Sequence, residues 1–340
     1  MRDGRDEEVR VMGFKSAFVL ALLLLATAMS GCLGGGGGDD GLPSEDDPFN
    51  VPTWNIGDWW LYTFSTPEFS DDTTRLVVAE DDAEGGTAYM LAISNQVEAR
   101  RHAVLNHNPF LGRITHDNLS AFEGGEPGAV FKFPFQKHDS WQFTLFETEW
   151  TAEVIEVHIE NNGATINRIA VITASADDGS VLAYIFDESA GFLRTLIWTD
   201  PSGVEQLNIQ LATFGSGHEG EVWFIRAGDI FDKEWDNNAA PNVEIEDSFF
   251  VSGHPSAGDY DEMIYWLVGE MGGGQSTGTL TLRDHADATP IFEEWTAGDK
   301  TSELGQAPYP SGEYTLTGTQ SGDSYIRLIV AGGISFSWTL

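Results

Sequence analysis

The chain has 340 residues, 41% of them hydrophobic, which is enough for two domains with their own cores. Its 54 acidic residues against 17 lysines and arginines give a formal net charge of -37, which argues against nucleic acid and anionic membrane surfaces as partners. An acidic, lysine-poor surface stays hydrated in salt and fits an extracellular protein, for example from a marine or halophilic archaeal source.

The first 31 residues have the organisation of an export signal. A positively charged region ending at Lys15 precedes the apolar run "AFVLALLLLATAM", and two small residues then precede the single cysteine, Cys32. The acidic stretch before Met12 suits no targeting signal, so Met12 is a plausible start. The alternative is a retained membrane helix, for which the apolar stretch 16–33 is at the short end of what a span needs.

The tetrapeptide "MSGC" that ends at Cys32 resembles the lipobox of bacterial and archaeal lipoproteins, although methionine stands where leucine is common. The resemblance implies that residues 1–31 are removed and that a lipid on Cys32 holds the exported protein at the outer face of the cytoplasmic membrane or at the cell surface. Without another cysteine the mature chain forms no internal disulfide. The glycine-rich, acidic residues 32–49 predict a flexible tether.

From residue 50 onward the pattern is that of an all-β protein. Short runs rich in aromatic and β-branched residues alternate with turns rich in Asn, Asp and Gly, which predicts a curved antiparallel meander over residues 50–215. In the run 204–214 apolar and polar residues alternate, so one face is buried and the other is wet. We expect a strand at 97–106 ("VEARRHAVLN") and a single helix at 112–122 ("GRITHDNLSAF").

Two stretches of the meander resemble each other. "WNIGDWWLYTF" from Trp54 aligns with "FQKHDSWQFTL" from Phe135, so that Asp58 matches Asp139 in front of an aromatic strand. Either an internal repeat or two unrelated aromatic strands after polar turns would explain the match.

The opening "GDWWLY" and the closing run 191–215 resemble exported lipoproteins with a lipoprotein-carrier-like half-barrel. In that fold the concave face often cradles an acyl chain, and an apolar sheet face must be covered by a helix, a second domain or a ligand. We therefore expect either a packed core or a partly open apolar groove. The candidate groove residues are Trp60, Tyr62, Trp141 and Phe143.

Residues 216–340 predict a second domain. Further short strands at turn-rich intervals indicate a small β-sandwich of about seven strands, which resembles the jelly-roll or immunoglobulin-like modules of secreted proteins. The boundary is expected between Gly215 and Pro241, where the strand 222–231 is able to pair with either side.

No catalytic, cofactor or metal site is predicted. "GSGHEG" at 215–220 has dinucleotide-loop spacing but precedes a strand instead of a helix, and "GHPSAG" at 253–258 lacks the context of a nucleophile elbow. The carboxylates of "ADDGS" and "DYDE" lack the spacing of a calcium loop. Folding would have to draw His102, His107, His116 and Asp117 together to make a metal site. Residues five apart on a strand face opposite sides, so solvated or capping histidines are expected instead.

These observations favour a membrane-anchored, non-catalytic surface lipoprotein whose half-barrel binds a hydrophobic small molecule or a surface protein. The alternative is an adhesion or carbohydrate-binding protein that holds a polysaccharide through its C-terminal sandwich. An enzyme is not expected, because neither a nucleophile with a base nor an acid–base pair is recognisable.

Overall fold

The computed structural model describes residues 43–67, 72–105, 108–123, 125–161, 163, 165–254, 257–308 and 311–340. Cys32 and the predicted signal peptide lie outside these residues. The protein is all-β, with one large antiparallel sheet that does not close, and within the described ranges only two short helices interrupt it.

Twelve strands build the predicted meander. In chain order they are β1 (Trp59–Ser65), β2 (Asp72–Asp82), β3 (Ala88–Ile93), β4 (Gly112–Thr115), β5 (Ala121–Glu123), β6 (Glu126–Gly128), β7 (Ser140–Leu145), β8 (Thr148–Asn161), β9 (Ile166–Ser175), β10 (Val181–Asp187), β11 (Phe192–Thr199) and β12 (Glu205–Gly215). Their spatial order is β6-β5-β4-β3-β2-β1-β12-β11-β10-β9-β8-β7. The predicted antiparallel meander is therefore confirmed.

The array curls until its two end strands, β6 and β7, come together. Gly128 of β6 lies so close to the carbonyl oxygen of Thr144 that a Cβ atom there would overlap it. No backbone ladder joins these two strands in the part of the chain that the structure describes, so the sheet curls tightly but stays open.

The two helices lie elsewhere than expected. Helix α1 spans Ala83–Gly86, and helix α2 spans Gln96–Leu105, where the sequence predicts a strand. Asn95 caps α2, since its side-chain oxygen accepts the backbone N–H groups of residues 97 and 98 at 2.9 and 3.3 Å. The predicted helix at 112–122 is wrong as well, because Gly112 has a φ of 102° and the segment pairs as β4 and β5.

The two similar stretches of the meander share one turn. The carboxylate of Asp58 accepts the backbone N–H of Asn55 at 2.7 Å, and that of Asp139 accepts the N–H of Gln136 at 2.9 Å. The residue before each aspartate has a positive φ. The same turn occurs in front of a third strand, where Asp299 accepts the N–H of residue 296 at 2.7 Å. A recurrent local turn therefore explains the match without an internal duplication.

The interior of the meander is filled by its own connecting segments. Residues 49–54, 108–111 and 129–135 place aromatic rings against the inner faces of β10 and β11. The ring of Phe131 lies 5.3 Å from that of Phe186, and the rings of Phe110 and Trp54 lie 5.3 and 4.9 Å from Phe192. Aromatic packing at these distances adds to the burial of apolar area.

The C-terminal part is a sandwich of two four-stranded sheets. Its strands are β13 (Glu221–Val251), β14 (Glu262–Met271), β15 (Thr277–Asp284), β16 (Ile291–Trp295), β17 (Lys300–Pro308) and β18 (Gly312–Thr339). The long strands β13 and β18 pair along their whole length and bend from one sheet into the other. The bend contains the β13 irregularities between residues 238 and 243, and Gly322 opposite them has a φ of 70°.

Sheet I consists of the first half of β13, the second half of β18, β14 and β17. Sheet II consists of the second half of β13, the first half of β18, β15 and β16. This arrangement of a bent two-stranded ribbon around four shorter strands is that of a jelly roll, one of the two predicted sandwich types. The strands expected at 312–319, 324–332 and 334–340 are one continuous strand.

Strand β14 of sheet I is buried on both faces. Met263, Tyr265 and Leu267 of β14 face the sandwich core, whereas Ile264 and Trp266 belong to the core of the meander. The concave side of the meander is therefore covered by the sandwich, with α2 between β3 and the strands of sheet I. The predicted domain boundary at residues 215 and 216 stays a prediction.

Candidate functional site

The four predicted groove residues lie in the packed interior of the meander. They expose at most 6% of their surface. Burial, and then the negative charge of Asp187, raise the pKa of Tyr62 well above its ordinary value, so its hydroxyl remains a donor. Three of them donate to backbone carbonyl oxygens at 2.8–3.0 Å: Trp60 to Ala190, Tyr62 to Leu193 and Trp141 to Ala129. A ligand would have to displace this packing, and the groove stays a prediction.

The N-terminal segment is fastened to the meander by Arg168 of β9. The guanidinium donates to three backbone carbonyl oxygens of residues 44–48 at 2.7–3.2 Å and pairs with Glu188 at 2.6 Å. It also lies 4.3 Å from the ring centre of Phe49, which is fully buried. The last residues of the predicted tether, 44–49, are thus bound to the meander instead of free.

A surface depression of about 460 Å³ opens beside this segment. Its lining is polar and consists of Asp46, Gln136, Lys137 and His138. Such a lining does not match the apolar groove that a half-barrel acyl carrier needs.

Helix α2 is attached to the sheet by an ionic cluster. Arg101 contacts Asp72 at 2.5 Å and Glu98 at 2.9 Å. Burial, followed by the hydrogen bond with Asp72 and its charge, raises the pKa of Glu98 to about 7 in spite of Arg101. Although burial opposes it, hydrogen bonds with Arg101 and Glu98 lower the pKa of Asp72. Towards sheet I, Arg100 of α2 pairs with Glu262 of β14 at 2.9 Å.

The histidines considered as metal ligands are separated. The Nε2 atom of His102 lies 3.0 Å from the hydroxyl of Thr74, whereas the ring of His116 packs on Tyr89 at 4.2 Å. His107 lies outside the described residues. Within the described ranges, no three side chains of His, Cys, Asp or Glu are grouped to hold a metal ion.

The remaining motifs serve local structure. Asp178 of "ADDGS" accepts the N–H and the hydroxyl of Ser180 at 2.8 and 3.0 Å, and Asp261 of "DYDE" accepts the N–H of Ser335 at 2.9 Å. The loop 215–220 runs into β13, which confirms that a strand follows it. Among the helices that the structure describes, none is long and apolar enough to span a membrane.

The outer surface of sheet II carries threonines at alternate positions of two adjacent strands, and we call it the threonine face. It consists of Thr277, Thr279 and Thr281 on β15 and Thr315, Thr317 and Thr319 on β18. Register places Thr279 opposite Thr319 and Thr281 opposite Thr317. The hydroxyls of Thr279 and Thr319 lie 3.0 Å apart, which aligns the two rows.

Two exposed phenylalanines flank the threonine face on its two edge strands. Phe250 of β13 is 68% exposed and Phe292 of β16 is 59% exposed. Phe292 is paired with Thr281 and Phe250 with Glu313, so both rings project on the same side as the threonines. The sequence analysis missed this site, although the alternation in "TGTLTL" and "TLTGT" is a visible signal of one hydroxyl-bearing strand face.

Neither a protein-family model nor a curated protein matches the chain. Among solved structures, the chain is similar to the exo-β-1,3-galactanase of Phanerochaete chrysosporium with galactose. The match has a TM-score of 0.18 and a sequence identity of 8%, and it covers 76% of this chain and 78% of the galactanase chain. A match to a chain in the structure of infectious bursal disease virus, Gx strain, has a TM-score of 0.18 and a sequence identity of 10%. It covers 86% of this chain and 74% of the viral chain. A match to dimeric latent PorU of Porphyromonas gingivalis has a TM-score of 0.20 and a sequence identity of 11%. It covers 52% of this chain and 19% of the PorU chain. At TM-scores this low, the similarities carry no argument about function.

Proposed function

We propose that the protein is an exported, non-catalytic binding protein that is held at the membrane by a lipid on Cys32 and acts through its C-terminal sandwich. The observation that carries the proposal is the position of the threonine face. It is the outer surface of sheet II, and the sandwich core and sheet I lie between it and the meander.

The attachment of the N-terminal segment supports the same arrangement. Arg168 fixes residues 44–48 on the meander, so a chain that leads from there to Cys32 starts at the meander and not at the sandwich. The chain to Cys32 then joins the folded body at the meander, whereas the threonine face lies on the outer sheet of the sandwich.

The polar groups inside the protein support a non-catalytic role. Arg101, Glu98 and Asp72 bind one another and hold α2, and Arg168 is occupied by backbone carbonyl oxygens. A general base or a nucleophile needs access to a substrate in an open site.

The anchor is tested with Cys32→Ser in the native host. We expect the wild type to partition into detergent, since two buried acyl or ether chains at about 0.8 kcal/mol per CH₂ hold a protein stably at a membrane. The variant should appear in the medium or as an unprocessed precursor. Unchanged mass and unchanged partitioning of the variant would instead indicate a retained membrane helix.

The exposure of the sandwich is tested on intact cells with a membrane-impermeant maleimide. Because the chain has one cysteine, and a lipidated Cys32 has no free thiol, Thr317→Cys provides a single reactive site. We expect it to be labelled without lysis. The matched control is Ser324→Cys on the same strand, which is buried and should stay unlabelled in the folded protein. Labelling of Thr317→Cys only after lysis would refute display at the surface.

A further inference from the structure

We propose that the threonine face, together with Phe250 and Phe292, binds a neutral polysaccharide. This inference rests on the proposed binding function and names the chemical class of its ligand. The inference is supported by the array of threonine hydroxyls, by the charged residues around that array and by the two exposed rings.

The hydroxyl array suits a ligand that itself carries regularly spaced hydroxyls. Neighbouring threonines lie roughly 4.8 Å apart across the strands and roughly 6.7 Å apart along a strand. The hydroxyls of Thr281, Thr315 and Thr317 make no hydrogen bond to any residue that the structure describes, so they bond to water in the free protein. A sugar hydroxyl replaces such a water without leaving a polar group unsatisfied, whereas an apolar partner would leave each one unsatisfied.

The charge at the rim decides between neutral and anionic glycans. The centre of the threonine face is uncharged, and four carboxylates lie around it. Among the described residues that are paired across this face, Arg283 is the only cation. These carboxylates are Glu244, Glu246, Glu294 and Glu313. Together with the net charge of -37 they repel a polyanion, because Glu246 and Glu294 are paired directly with Thr317 and Thr279 and so lie within about one Debye length, ~8 Å, of a bound chain.

The two phenylalanines supply the apolar contacts that the threonines lack. Strand spacing and rise per residue place Phe250 and Phe292 about 20 Å apart across the diagonal of sheet II. The C–H face of a pyranose ring packs on an aromatic ring, so two rings at this separation hold a chain of several sugars over the hydroxyl array. Both rings are more than half exposed, so each offers its face to a ligand.

Binding is tested by retention of the full chain, in detergent, on insoluble cellulose, chitin and mannan, with alginate beads as the anionic polysaccharide for comparison. We expect retention on at least one neutral polysaccharide and none on alginate. The double variant Phe250→Ala/Phe292→Ala should lose at least tenfold in retention. Both rings are mostly exposed, so an unchanged Tm confirms that the variant folds. The matched control is Phe214→Ala, which removes a 43% exposed ring on β12 and should bind normally.

Three outcomes would overturn the inference. They are no retention on any of the three neutral polysaccharides, equal retention of the double variant, and preferential binding to alginate. The labelling of Thr317→Cys on cells is independent of all three. Failed glycan binding with intact labelling therefore refutes only the ligand class, whereas failed labelling refutes the display of the sandwich.

Discussion

Arg101 holds two carboxylates with one guanidinium, and this makes Glu98 the side chain of the ionic cluster that responds to pH near neutrality. Asp72 keeps its charge because it receives the closer contact, at 2.5 Å, while burial and the charge of Asp72 favour a proton on Glu98. Folding therefore takes up a proton at Glu98, and deprotonation of Glu98 works against the attachment of α2.

We expect Glu98→Gln to flatten the pH dependence of stability between about 4.5 and 7. The folded pKa of Glu98, about 7, lies above the ordinary value of 4.5, so its contribution is full below pH 4.5 and is lost as pH rises through 7. The amide mimics the protonated acid, so the variant should be more stable than the wild type at pH 8 by on the order of 1 kcal/mol after solvent screening.

Urea denaturation at pH 5 and pH 8 measures this difference. Glu149→Gln, which changes an exposed carboxylate at the start of β8, is the control and should follow the wild type at both pH values. A wild-type slope that persists in Glu98→Gln would place the titrating group elsewhere.

Among the elements, β14 differs from the strands of the meander because both of its faces are buried. Strand β8 alternates over residues 149–154 between exposed and buried side chains, as a strand with one wet face should. Residues 263–267 of β14 are all buried, one set by the sandwich core and the other by the meander core. The continuous apolar run in its sequence is a consequence of this position.

We expect Met263→Ala and Ile264→Ala each to lower the free energy of unfolding by about 2–5 kcal/mol, since each leaves a cavity in a closed core. The outward-facing Thr151→Ala on β8 should change it by less than about 0.5 kcal/mol. Chemical denaturation followed by tryptophan fluorescence measures all three. If either β14 variant matched Thr151→Ala, the face it occupies would not be a packed core.

At the scale of the whole molecule, sheet I joins the meander and the sandwich into one layered structure. Its residues Ile225, Ile264, Trp266 and Ala331 belong to the same hydrophobic core as the meander, and the pair Arg100–Glu262 crosses between α2 and β14. Separation of the two parts would expose this apolar layer to water, which costs about 25 cal/mol for each Å² uncovered.

We therefore expect one cooperative unfolding transition for the folded body. Circular dichroism and tryptophan fluorescence should give coincident urea curves, and Ile264→Ala should shift the whole curve. Two resolved transitions, with only one of them moved by Ile264→Ala, would show that the meander and the sandwich unfold separately.

The sequence by itself determined the all-β class, the meander, most strand positions and the turns. These features depend on local chemistry, namely alternation with period two and the Asx-type bonds of aspartates such as Asp58 and Asp139. Helix α2 was not predicted, because apolar residues do not recur at clear helical spacing along it and its clearest sequence signal is one cap residue, Asn95.

Only the tertiary structure decided which faces are covered. Trp60 and Tyr62 alternate in sequence as groove residues would, yet connecting segments and the neighbouring strand β11 of the meander fill the space beside them. The threonine face is open because no described element packs on the outer side of sheet II. The covering of a face depends on partners distant in the chain, and periodicity along a single strand carries no information about them.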